Sequence, residues 1–439
     1  MNNYVLLTGL LSAVLSGGGV CAWGSEPRVL TLDEIFSSAE ANSAQMRPLF
    51  TAEDAASKEI SVARTGRLPE INLRMSVSYI GDGFITNRDF SGYEKAPIPH
   101  LGTGLGLSVE QPVYTGGAVT AAVQMAELKS TAARYATDFQ RDNIRFRLTG
   151  FYLDLYKYHN LERVVEKNVA QARQVLAEMQ ARYEQGTALQ NDITRYELLV
   201  SNLELELVRI RNTRTILNDN LVTTAGLAEG TVVAPDTTIL ARSLPTDGEG
   251  WWQSEARTNA PSIKLASTDV ELSRKAERLV KADLLPKIGL QAAWTMDGPI
   301  LVEIPPINRN LSYWYVGVGV SYNLSSLFKS NRKLTATKLA TRKAAEELVA
   351  ANENVELAVR GDYIRYLEAY EELKTQQKSV ELAERNYRTT STRYSADMAL
   401  ITDMLDAANS KLDAEQRLVN ARINIIYYYY KLLFTSGKI

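Results

Sequence analysis

The chain has almost no cysteine or histidine, two of the side chains on which catalysis and metal binding often depend. Among its 439 residues there is one cysteine, Cys21, and there are two histidines, His100 and His159. No disulfide can form within it, and no Cys/His metal spacing exists. The sequence has no phosphate-binding loop, no catalytic constellation and no cofactor motif, so no catalytic, cofactor-binding or metal-ligating residue is expected. Neither sign of charge dominates: 49 basic residues face 51 acidic ones, for a net charge of −2. That balance gives no sign of a nucleic-acid partner. After the first two dozen residues no stretch reaches the roughly 18 to 20 consecutive apolar residues of a membrane helix. Any membrane crossing must therefore be made by β-strands.

The amino-terminal residues differ from the rest. Val5 to Leu15 is apolar and is followed by small residues from Ser16 to Gly19, which reads as a secretory signal over 1–24, with cleavage after Ala22 or Gly24. The flanking residues Met1 to Tyr4 carry no Lys or Arg, and Cys21 is alternatively a lipid-acceptor site. With the leader removed, the chain has no cysteine and draws its stability from packing, oligomerisation or a membrane.

What the sequence does contain, it contains twice. Gly150 to Gly226 aligns without a gap on Gly361 to Gly437 at a constant offset of 211, pairing Arg182-Tyr183 with Arg393-Tyr394 and Asp192 with Asp403. Upstream, Leu68-Pro69-x-Ile71-x-Leu73 answers Leu285-Pro286-x-Ile288-x-Leu290. A period this long points to duplication of a half-protein rather than to a solenoid. The expected organisation is a first repeat over 25–226, a connector over 227–252 and a second repeat over 253–439.

Each half begins with a helix, expected over Leu32–Thr65 and from about Pro261 to Asp283, where Thr31 is placed to cap and Asp33-Glu34 suit the positive helix end. Two alternating strands follow in each half: Ile71–Tyr79 and Leu105–Glu110, then Ile288–Trp294 and Tyr313–Tyr322. Alternation fits a membrane strand of about 9 to 11 residues and equally a soluble sheet with one face on a core. Aromatics near the strand ends, Tyr79, Trp294, Tyr313, Trp314, Tyr315 and Tyr322, suit an interfacial girdle.

Helical patterns interrupted only by Gly150 and Gly361 then run over Gly116–Gln185 and Asn331–Ser395, on the order of 100 Å each at 1.5 Å per residue. One coiled-coil seam reads Val165, Val169, Ala172, Leu176, Met179 and Tyr183. Its partner reads Ile193, Tyr196, Val200, Leu203, Leu207, Ile210, Leu217 and Leu221, with Arg214 the odd member. The equivalent seam of the second half, from Met404 through Lys411 to Leu432, is poorer in large apolar groups.

The order and spacing of these elements resemble the TolC-like outer membrane efflux family. The resemblance rests on the Leu-Pro-x-Ile-x-Leu starts of the strands, on Val109-Glu110-Gln111-Pro112-Val113-Tyr114-Thr115-Gly116-Gly117, and on the hairpin tips Arg182 to Asp192 and Arg393 to Asp403. It implies an α+β membrane protein: a homotrimer whose protomers each give four strands to one twelve-stranded transmembrane β-barrel, continued by a long α-helical coiled-coil periplasmic tunnel, with two structural repeats per chain. It also implies an outer membrane exit channel of a tripartite efflux or type I secretion system, a passive duct and not an enzyme. The implied partners are outer membrane lipid, a periplasmic adaptor and an inner-membrane transporter of RND or ABC type. The competing reading is a periplasmic coiled-coil adaptor or scaffold without a pore; a third is a peptidoglycan-associated structural protein.

By the same resemblance, Asp403 and Asp406 line the narrow periplasmic entrance, where three copies would make two stacked carboxylate rings that attract cations. Three residues apart, they share a helix face. The plainer alternative has Asp403 complementing the helix amino end and Asp406 solvated. Asp192 and Tyr394 occupy positions that in the family hydrogen-bond across neighbouring coiled coils and hold the entrance shut, while the basic partner expected nearby falls on Ala399. Their alternative roles are a helix cap for Asp192 and end packing for Tyr394. Gly186, Thr187, Ala188 and Leu189, with Met398, Ala399 and Leu400, form two small, apolar tips suited to docking partner helices.

Overall fold

The computed structural model describes residues 27–236, 244, 247–303 and 305–439. The expected leader over 1–24, with Cys21, lies outside the described residues.

The chain opens with β1 (Arg28–Leu30) and α1 (Leu32–Asn42). Thr31 caps α1 as its sequence suggests: its hydroxyl accepts from the Glu34 N–H while the Glu34 carboxylate accepts from the Thr31 N–H, two otherwise orphaned donors satisfied at once. The single helix expected to Thr65 is two helices, because the chain turns at Ser43 and buries Met46 before α2 (Arg47–Thr65), whose first turn carries Pro48. Pro is tolerated at a helix start and disfavoured in its interior.

Next come β2 (Glu70–Tyr79), a small hairpin of β3 (Gly83–Ile85) and β4 (Glu94–Ala96), and β5 (Leu101–Tyr114). Two long helices follow, α3 (Ala118–Glu184) and α4 (Gln190–Ala225). The link to the second half holds β6 (Val233–Pro235), parallel to β1, and α5 (Glu249–Asn259). Helix α5 therefore crosses the expected connector boundary, and Trp252 is buried against Val359, Tyr366 and Leu432. The second half continues with α6 (Pro261–Ala282), β7 (Lys287–Gly298), β8 (Leu311–Ser321), α7 (Ser326–Ser395) and α8 (Ile401–Thr435). Among the described residues no helix is long and apolar enough to cross a membrane.

The long strands form one antiparallel sheet in the order β2-β5-β7-β8. Its register makes the alternation two-dimensional. Leu73, Leu107, Trp294 and Trp314 stand in one cross-strand row, and Ile71, Val109, Ala292 and Val316 in the next. The row between them reads Asn72, Ser108, Ala293 and Tyr315, and the row on the other side of Leu73 reads Arg74, Gly106, Thr295 and Tyr313. One face is thus apolar from edge to edge in these rows, and the other carries polar groups, glycine, tyrosine and the small Ala293. Tyr79, Trp294 and Trp314 belong to the apolar face; Tyr313 and Tyr315, expected in a girdle with them, alternate onto the polar one. The apolar side chains of β2 and β8 are exposed along almost their whole length.

The helices form a curtain beneath the sheet. Beside the strands the packing order is α2-α3-α6-α7; farther away α4 replaces α2 and α8 replaces α6, giving α4-α3-α8-α7. The coiled-coil seams are the core of the lower part: Val165, Val169, Ala172 and Met179 of α3 are buried with Ile193, Tyr196, Val200, Leu203 and Ile210 of α4 and Met404 and Ala407 of α8. Tyr183, expected in the seam, is exposed at the end of α3. Arg214 is accommodated by pairing with the nearly buried Glu162, which also binds Arg211 at 2.8 Å.

Candidate functional site

Both helical hairpins end in the same turn, made by different residues. After α3, Gly186 takes a left-handed φ of 74°, the Gly186 N–H donates to the Tyr183 carbonyl and the Thr187 N–H to that of Arg182 at 2.9 Å. After α7, the left-handed residue is Asp397, at φ 59°, and the Met398 N–H donates to the Arg393 carbonyl at 2.8 Å. These bonds satisfy the last carbonyls of each helix. Glycine adopts this conformation freely, while an L-residue pays roughly 1 to 2 kcal/mol, with Asp among the more tolerant.

Asp397 has a partner across the gap between hairpins. Its carboxylate accepts from the Arg182 guanidinium, at the end of α3. Arg182 also lies over the Tyr394 ring, 5.9 Å from its centroid. Tyr394 is half-buried on α7, and its hydroxyl is held above its ordinary pKa first by burial and then by the Asp192 charge, with Arg182 opposing. Arg182 of the first tip thus meets Tyr394 and Asp397 of the second, and Asp192 of the first acts on Tyr394 through its charge. No hydrogen bond joins Asp192 to Tyr394 among the described residues. The cation of this cluster is Arg182, contributed by the first hairpin. Sequence reasoning missed Arg182 and Asp397, although an Asp at the position matching Gly186 in the repeat was the available signal.

Asp403 and Asp406 are both exposed on the first turns of α8. The Asp403 carboxylate accepts from the Leu400 N–H at 3.1 Å and so caps the helix. Capping uses one oxygen and leaves the charge in place. Around the turns, Leu189, Met398 and Leu400 are each more than 60% exposed at 69%, 64% and 70%; Gly186 and Thr187 are exposed beside them, while Ala188 and Ala399 are half-buried. The tips therefore offer large apolar side chains on a backbone that small residues keep accessible.

Behind the tips lies a polar insertion in the core. Lys411 is buried, donates to the Gln171 side chain at 2.8 Å and sits 4.8 Å from the Tyr387 ring centroid. It bridges α8 to α3 and to α7, so the two hairpins are held side by side by more than apolar contact.

Comparison with known proteins agrees with this architecture. Residues 35–227 and 252–427 match the family of outer membrane efflux proteins, covering both halves and omitting the connector. The chain belongs to that family. Its place is the outer membrane, with the helical part extending into the periplasm, and its work is that of an exit duct for efflux. This efflux protein is 23% identical over 430 residues to the outer membrane protein TolC of Vibrio cholerae serotype O1, covering 96% of this chain and 92% of that one. It is 21% identical to the pyoverdine export outer membrane protein OpmQ of Pseudomonas aeruginosa, over 89% of this chain and 82% of that one. Among solved structures it resembles the outer membrane protein VceC of Vibrio cholerae, with a TM-score of 0.76 at 16% identity over 92% of this chain and 96% of that chain.

Proposed function

We propose that three copies of this chain close into a homotrimeric duct, a twelve-stranded barrel above a helical tunnel, gated at the tips. The supporting observation is that every layer is left open at corresponding edges. The sheet ends at β2 and β8, the upper helices at α2 and α7, the lower helices at α4 and α7. In each case one free edge belongs to the first half and the other to the second, so a head-to-tail contact closes all three layers together. The free helices carry the apolar side chains such a contact needs: Leu198, Leu205, Val208 and Ile216 on α4, and Leu357, Ile364, Leu367 and Leu382 on α7 are exposed in the single chain. For the strands closure is compulsory, since an unpaired backbone group in lipid costs several kcal/mol. The apolar face then meets lipid, and the face with Arg74, Thr295 and glycines lines the pore.

Transport is passive in this reading. The chain supplies a wall, an entrance and a docking surface; a periplasmic adaptor seats on the tips, and an inner-membrane transporter supplies the energy. Rings of Asp403 and Asp406 select cations at the entrance, and Asp192 with Tyr394 belongs to the polar contacts that hold the tips together. Reconstitution of the purified chain in planar bilayers tests the assignment. Asp403→Asn keeps the oxygen that caps α8 and removes its charge. We expect the Asp403→Asn/Asp406→Asn double variant to lose cation preference and block by divalent cations while migrating as the native oligomer. Native selectivity and block in that variant would remove the two residues from the pore.

A further inference from the structure

At the joint between sheet and tunnel, a cleft of about 580 Å³ opens between the end of α6 and the start of α7. Three lysines, Lys287, Lys329 and Lys333, line it with a single carboxylate, Asp283. Asp283 engages Lys333 at 3.2 Å, leaving Lys287 and Lys329 with no carboxylate partner among the described residues. The helix that starts here is 70 residues long, has no acid in its first turn, and makes no side-chain cap bond from Ser325. Its amino end is a concentration of partial positive charge. Placing Lys329 near that end, where an acid is preferred, costs stability unless an anion compensates. A third observation is independent of charge. Ser326 is 5% exposed and lines the cleft, and its Oγ has no hydrogen-bond partner among the described residues. A buried hydroxyl left unpaired is unfavourable.

We propose that this cleft is a binding site for a phosphate group. Asn323 already accepts from the Ser325 N–H at 3.1 Å and from the Ser326 N–H at 2.9 Å, so a tetrahedral oxyanion accepts from the Ser326 hydroxyl, from the Lys287 and Lys329 ammonium groups and from helix-start N–H groups beyond those two. Carboxylate ligands have fewer oxygens for the same fan of donors. Lys287 and Ser321 are register partners on the polar side of the sheet, so the cleft lies on the face that lines the duct in the trimer proposed above, on which this step rests. The group is therefore carried by a phosphate-bearing solute at the base of the barrel; the headgroup of an anionic phospholipid presents the same chemistry.

Calorimetric titration of the full chain in detergent with inorganic phosphate, against chloride at equal ionic strength, tests the site without needing a conducting pore. Saturable binding is expected in the native protein. Ser326→Ala and Lys329→Gln should each weaken it by roughly tenfold, about 1.4 kcal/mol, and Lys338→Gln, on the same helix beyond the cleft, should leave it unchanged. Oligomer migration checks that each variant is assembled. Absence of saturable binding, or equal binding by native protein and both cleft variants, overturns the proposal. A second titration follows reconstitution into phosphatidylcholine vesicles with or without phosphatidylglycerol. Loss of phosphate binding only with phosphatidylglycerol assigns the site to a headgroup; unchanged binding assigns it to solutes in the duct.

Discussion

Replacing Asp397 with glycine should move stability and gating in opposite directions. Asp397 holds a left-handed backbone that glycine adopts without penalty, so the substitution relieves about 1 kcal/mol of local strain per chain. It also removes the ion pair with Arg182. The Arg182 side chain is 27% exposed and that of Asp397 74%, so solvent screens the pair and its worth is about 0.2 to 1 kcal/mol. The hairpin fold is thus expected to be as stable as the native one or slightly more so. The balance between joined and separated tips shifts the other way. In a three-chain assembly three pairs are lost together, roughly 0.6 to 3 kcal/mol, or about 3- to 150-fold in the equilibrium between the two arrangements. Asp397→Asn serves as the companion variant, since Asn tolerates the left-handed region and carries no charge. Single-channel recording should show both variants open more often, and thermal denaturation should show no loss of midpoint for Asp397→Gly. Native open probability in both variants would refute the clasp; a lowered midpoint for Asp397→Gly would refute the strain argument.

Two further outcomes follow from buried groups in the helical curtain. Burial pushes the Asp142 carboxyl up to about 6, with Arg145 opposing and Asp138 adding to the effect. The folded chain therefore holds this proton in a range where the unfolded chain has released it, and the contribution to stability falls as pH rises from about 4 through 6. Asp142→Asn should flatten that part of the stability profile and raise stability at pH 7 by on the order of 1 kcal/mol, after allowance for screening, as read by thermal midpoints across pH. Trp252 is 1% exposed, and Trp252→Ala should cost about 3 to 5 kcal/mol. Its indole Nε1 has no partner among the described residues, so Trp252→Phe should cost much less, and equal midpoints for the two variants would contradict the packing account.

The sequence carried the long elements well because their signals are periodic. Val165, Val169, Ala172 and Met179 recur at heptad steps and are buried; β2 alternates over its full length, and its register extends that alternation to three other strands. The Thr31 and Glu34 cap was equally legible, being a local contact between residues three apart. Short elements were not. The three-residue strands β1 and β6 have no period, and they meet through contacts spanning about two hundred residues, fixed partly by the Tyr152 hydroxyl, which donates to the Leu30 carbonyl and accepts from the Asp236 N–H. The break between α1 and α2 was signalled by Pro48, a residue that favours a helix start over a helix interior. The meeting of Arg182 with Asp397 depends on two hairpins lying side by side, a relation that neither tip encodes alone.

The three open layers differ in how strictly they demand closure, and the difference places the moving part. At β2 and β8 the unmatched groups are backbone N–H and C=O, directional and expensive to leave unpaired in lipid. At α4 and α7 the backbone is already satisfied within each helix, and what lies exposed is a set of apolar side chains with a tolerance for sliding or re-packing. In the proposed trimer, association is thus fixed in the membrane and adjustable below it. The least constrained positions are the tips, farthest from the strands, where apolar residues such as Leu189 and Leu400 are exposed and the inter-hairpin contact is a screened ion pair. An entrance that must open without dissolving the barrel is best placed there, and the carboxylates of Asp403 and Asp406 lie within two turns of that point.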